Sequence, residues 1–191
     1  MRKLLAKSFL RATGWQPEGA PPTLAKYVLI AAPHTSNWDL AYLLALAEVY
    51  GLRISFMMKH TLFRGPFGPL FRSLGGISID RRRRENLVKQ MVEAFAARGS
   101  LVLVVPAEGT RARVERWKSG FYHIAHGARV PIVLGYLDYA RRRGGFGPLL
   151  VPTGRVVEDM DFVRDFYADK VGRSPRDFAE PRLREEDGPG A

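Results

Sequence analysis

The chain has 191 residues, 46% of them hydrophobic, which suits one domain with a sizeable core. Its formal net charge is +11, unevenly placed: residues 1–157 carry 24 Lys and Arg against 9 Asp and Glu, and residues 158–191 carry 6 against 10. A basic body of this kind calls for an anionic partner, for which nucleic acid and anionic lipid both qualify, and the absence of cysteine excludes disulfides, thiolate nucleophiles and Cys-based metal sites.

From the N-terminus, residues 2–13 suit a short helix with Lys3, Lys7 and Arg11 on one side and Leu5, Phe9, Leu10 and Ala12 mostly on the other. With Trp15 following, such a helix fits either a lipid interface or packing on the domain. Residues 17–25 read as a Pro-rich linker or turn. Tyr27–Ala32 is a short apolar run typical of a buried strand, ended by Pro33. Thr35 and Ser36 supply capping oxygens for an apolar helix reaching about Tyr50. Arg53–Met58 reads as a second strand. Residues 62–74 carry Leu62, Phe63, Phe67, Leu70 and Phe71 between prolines and arginines, which suits core or a lip at a membrane or acyl groove. Gly76–Ile79 follows as a third strand, 84–98 as an amphipathic helix and Leu101–Val105 as a fourth strand. A helix over 119–127 precedes strands at Val130–Leu137 and Leu149–Val157, and a last helix covers about 160–170. The charged, Pro-rich tail from Gly172 reads as loosely held.

Alternating strands and helices predict an α/β fold: a mixed, largely parallel sheet flanked by helices, preceded by a short N-terminal helical segment. The chain divides into residues 1–16, 17–171 and 172–191. No apolar run reaches the roughly 18–20 residues needed to span a bilayer. The N-terminus starts like a signal peptide but has no clean apolar stretch or cleavage site, so the protein is expected to be intracellular.

In α/β sheets reactive groups gather in loops at strand ends, and the chemical residues fall there. His34 follows the first strand, and Asp39, five positions on, falls in the first turn of the next helix. A carboxylate there suits the helix dipole and can fold back to fix the imidazole tautomer, leaving the other nitrogen to take a proton from a hydroxyl. The pair alone is weak, since composition gives roughly 0.2 such pairs by chance. Downstream, Gly75–Arg81 places Arg81 just after a strand, Glu108–Arg111 (Glu-Gly-Thr-Arg) follows another, and Val130–Val133 (Val-Pro-Ile-Val) opens a third.

These four ordered blocks, spread over roughly residues 27–137, resemble those of the glycerolipid acyltransferases typified by 1-acylglycerol-3-phosphate acyltransferases. The departures are Ala107 between Pro106 and Glu108, Ala112 after the Glu-Gly-Thr-Arg block, and Leu134 after Val133. The resemblance implies transfer of a fatty acyl chain from acyl-CoA or an acyl carrier protein to a lysophospholipid hydroxyl, most simply that of 1-acylglycerol-3-phosphate. It makes His34 the general base with Asp39 behind it. It assigns Arg81, Glu108, Gly109, Thr110 and Arg111 to the acceptor, mainly its phosphate and glycerol. Arginine grips phosphate bidentately, whereas Glu108 would accept a glycerol hydroxyl or orient an arginine. No metal or cofactor is called for beyond the thioester co-substrate; His123 and His126 lack further ligands nearby. The expected place is the cytoplasmic face of an anionic membrane, held peripherally. The competing readings are a different lyso-lipid acceptor, or a non-catalytic basic protein binding membrane or nucleic acid. No helix-turn-helix, RNA-recognition or zinc-finger pattern appears, and no nucleic-acid partner is expected.

Overall fold

The structure, a computed structural model, describes residues 1–79 and 85–188. Its elements run α1 (Arg2–Ala12), β1 (Gln16–Glu18), β2 (Lys26–Ala32), α2 (Trp38–Tyr50), β3 (Ile54–Lys59), α3 (Gly68–Ser73), β4 (Gly76–Ile79), α4 (Glu85–Ala97), β5 (Leu101–Val105), α5 (Gly120–Ala128), β6 (Ile132–Asp138), β7 (Arg143–Leu150) and α6 (Val156–Tyr167).

The strands form one mixed sheet in the order β1-β7-β6-β2-β5-β3-β4. The five strands from β6 to β4 are mutually parallel, and β7 turns back antiparallel on β6 with β1 parallel to it. The expected α/β class and largely parallel sheet are therefore what the chain adopts. Successive side chains of a strand face opposite ways, so the unbroken apolar run of β2 feeds two cores. Val28, Ile30 and Ala32 pack with Met91 and Phe95 of α4, Phe121 and Ile124 of α5, and Met160 and Val163 of α6. Tyr27 and Leu29 pack on the other side with Ala47, Leu43 and Leu44 of α2. Helix α1 lies outside α2, where Ala6 and Leu10 join Trp15, Tyr42, Ala45 and Leu46 in a third cluster.

Three expectations need correction. The linker over 17–25 begins with a strand, β1, held by its register with Arg143–Gly145 rather than by any pattern of its own. The strand read at Leu149–Val157 lies earlier, at Arg143–Leu150. Its Gly-Gly-Phe-Gly-Pro composition reads as a turn, but a Cβ at Gly145 would sit 1.7 Å from the Glu18 carbonyl oxygen and one at Gly147 would sit 2.2 Å from the Phe166 ring. Bare backbone is needed there because neighbours press on both sides. The tail does not hang free through residue 188. Leu183 is fully buried, Arg164 meets Glu186 and Arg182 meets Asp187, and the Trp117 N–H donates to the Arg182 carbonyl at 2.7 Å. In segment 62–74 Phe63 is buried, as core packing requires, while Phe67 and Leu70 of the turn and α3 are exposed.

Candidate active site

Parallel strands deliver their C-terminal ends to one edge of a sheet. β2 and β5 are neighbours at its centre, with Ile30 opposite Val105. Pro33-His34 and Pro106–Glu108 therefore leave the sheet side by side. His34 is part-exposed and its Nδ1 lies 3.1 Å from Asp39 Oδ2. The same oxygen accepts the backbone N–H groups of Thr35 and Ser36, each at 2.9 Å. Asp39 is 5% exposed in the first turn of α2, so it performs the expected fold-back onto its own loop. An Nδ1–H donated to this carboxylate leaves Nε2 as the free acceptor.

Glu108 is 2% exposed. Both its oxygens accept the backbone N–H of His34, at 3.1 and 2.9 Å. In this geometry the carboxylate fixes the loop that carries the base, rather than reaching an arginine. Burial pushes its carboxyl up to about 7; the His34 N–H and the imidazole pull it down, and the charge of Asp39 pushes it up again. The departure at Ala107 fits here, since its side chain is fully buried beneath the turn. Gly109 adopts φ +73°, a left-handed conformation that turns the chain back after Glu108. Its N–H donates to the Pro106 carbonyl at 3.0 Å, and Lys118 N–H donates to the Ala107 carbonyl at 2.7 Å.

A cavity of about 870 Å³ opens at this edge. His34, Asp39, Gly109, Arg111, Lys118 and Ser119 contribute its polar walls, and Leu40, Leu43, Ala47, Ile54, Val104 and Phe146 are among the apolar ones. Arg111 is exposed at this site. Thr110 is exposed too, its hydroxyl accepting the Ala112 N–H at 3.4 Å. The structure thus gathers His34, Asp39, Gly109 and Arg111 around one opening, with Glu108 buried behind the His34 loop and Thr110 in the adjoining turn. Arg81 lies outside the described residues. His123 pairs with Glu185 at 2.9 Å and His126 stacks on Tyr122. Among the described residues no cluster of His, Asp and Glu is arranged to hold a metal ion.

Three contacts escaped the sequence reading. The Tyr139 hydroxyl donates to Asp39 Oδ1 at 2.6 Å. The Ser174 N–H donates to Thr35 Oγ1 at 3.2 Å, bringing the tail onto the His34 loop. Lys118 reaches the cavity from the turn before α5. None had a signal in the chain alone: Tyr139 becomes placeable only once β6 is seen parallel to β2 with Tyr136 opposite Ala32, which brings a residue just past its end to the edge that carries His34.

The sequence model of the acyltransferase family matches residues 16–134, which include every block named above. The fold is similar to the crystal structure of the 1-acyl-sn-glycerophosphate (LPA) acyltransferase PlsC from Thermotoga maritima. That match has a TM-score of 0.61 and 18% identity over 86% of this chain and 74% of that one. Among curated proteins no sequence matches significantly. With the family pattern spanning well over half of its length and its His and Asp brought together at the sheet edge, the chain belongs to the acyltransferase family.

Proposed function

We propose that this acyltransferase esterifies the free hydroxyl of a lysophospholipid, most simply 1-acylglycerol-3-phosphate, using the thioester of acyl-CoA or an acyl carrier protein. The observation that carries the reading is the His34–Asp39 pair at the mouth of an apolar-walled cavity that also presents Arg111 and Lys118. Asp39 holds Nδ1–H, so Nε2 takes the proton of the acceptor hydroxyl as its oxygen attacks the thioester carbonyl. The tetrahedral intermediate then collapses with cleavage of the C–S bond, and the thiolate recovers the proton from the imidazolium. No covalent enzyme intermediate forms. General-base help of this kind is worth about 10²–10⁴-fold, with the remainder from holding the two substrates together.

The acyl chain lies among Leu40, Leu43 and their neighbours, and the phosphate meets Arg111 and Lys118; the family resemblance adds Arg81 to that role. Glu108 acts through the His34 loop, and Gly109 and Thr110 shape the turn that receives the glycerol. No helix among the described residues is long and apolar enough to cross a membrane. Helix α1 instead offers exposed Leu4 and Leu5 beside Arg2, Lys3, Lys7 and Arg11, a composition suited to the surface of an anionic bilayer. Peripheral attachment at a cytoplasmic membrane face follows from that reading.

The test uses purified protein, both classes of acyl donor, and a panel of lysophosphatidic acid, other lysophospholipids and phosphate-free acceptors, with products read by mass spectrometry. Esterification strongest on the phosphate monoester is expected. His34→Ala should lower turnover by about 10²–10⁴-fold while melting normally, because the bond to Glu108 uses the backbone N–H. Undiminished turnover in that variant refutes the base assignment, and inactivity on every lysolipid with every donor refutes the reading.

A further inference from the structure

Asp39 has two oxygens with different partners. Oδ2 is held by donors of its own loop, from Thr35, Ser36 and His34. Those contacts travel with the loop and fix the carboxylate only relative to it. Oδ1 is held by Tyr139, which stands beyond the end of another strand, 100 positions away. The phenol has little freedom of its own. Its ring stands edge-on to Trp15 at 4.9 Å and to Tyr42 at 5.9 Å, and those two rings stack on each other at 4.3 Å. Its backbone N–H donates to the Val171 carbonyl at 2.8 Å.

We infer that Tyr139 is a positioning residue for the reaction: its hydroxyl clamps Asp39 Oδ1 and thereby sets the direction of the His34 imidazole. A carboxylate anchored through both oxygens holds its imidazole partner in one orientation, which a carboxylate tied to its own loop alone does not. Burial, the hydrogen bond and the charge of Asp39 keep the phenol protonated far above neutrality, opposed only by Arg173. Among the described residues Glu108, from the β5 end, faces the His34–Asp39 pair, while Tyr42 of α2 and Arg173 of the tail face Tyr139; of these groups Tyr139 touches the carboxylate.

This inference rests on His34 acting as the base, so one experiment carries both. Tyr139→Phe removes a single oxygen and leaves the ring in its aromatic packing. We expect kcat to fall about tenfold with both KM values unchanged. In an Asp39→Asn background the same change should add no further loss, as a residue acting through Asp39 requires. A wild-type kcat in Tyr139→Phe, or a full additional loss in the Asp39→Asn background, overturns the inference and leaves Tyr139 as packing. If His34→Ala is inactive while Tyr139→Phe behaves as wild type, the positioning role alone has failed. If His34→Ala retains turnover, the base reading itself has failed and the inference goes with it.

Discussion

The Glu108 carboxyl, held up at about 7 against an ordinary 4.5, is neutral in the folded protein over a range where the unfolded chain has already lost the proton. The folded state therefore becomes less stable as pH rises from about 4.5 to 7 and changes no further above that, by about 3 kcal/mol in all. Glu108→Gln keeps an acceptor for the His34 N–H and lacks the titration. Its melting temperature should gain on the wild type by roughly 5–10 °C between pH 5 and pH 8, read by calorimetry across that range. A difference that does not vary with pH shows the carboxylate ionised throughout. The role of Glu108 could not be read from the chain, because its partner is a backbone N–H 74 positions away and any residue supplies one. His34 and Asp39 were legible because they are close in sequence and their chemistry is local. Tyr139 was not, since a tyrosine after a strand is ordinary until the sheet order is known.

At the scale of elements, legibility followed self-sufficiency. β2, β5 and β6 are apolar enough to declare themselves, and α2 is marked by Asp39 in its first turn and Gly51 at its end. β1 and β7 exist through each other. Gly145 lets the Glu18 carbonyl approach to a distance that no side chain tolerates, which disguises β7 as a turn and leaves β1 too short to notice. Gly145→Ala should cost about 2 kcal/mol by forcing the two backbones apart, lowering the melting temperature by roughly 4–8 °C. Gly99→Ala, where an added Cβ meets nothing within 4 Å, is the control and should stay within about 0.5 kcal/mol. Equal melting of the two variants shows that the β1–β7 contact is not tight in solution.

For the whole molecule, the charge imbalance seen along the chain is partly folded away. The acidic tail returns onto basic neighbours, as in Arg116–Asp187 and Arg164–Glu186, while the cations of α1 stay in water. Because Ala6 and Leu10 are buried, removing the helix would damage the fold together with any lipid contact. Leu4 and Leu5, 70% and 66% exposed, separate the two effects. Leu4→Glu with Leu5→Glu should weaken binding to anionic vesicles about tenfold or more at an unchanged melting temperature. Unchanged vesicle binding in sedimentation removes α1 from the lipid contact. The bond from Ser174 to Thr35 joins positions 139 residues apart. At 5–20 residues per second, a ribosome needs roughly 7 to 28 seconds to make the span between them. The loop of the base thus waits for Ser174 to be made before it is braced, so the growing polypeptide lacks the finished site over that interval.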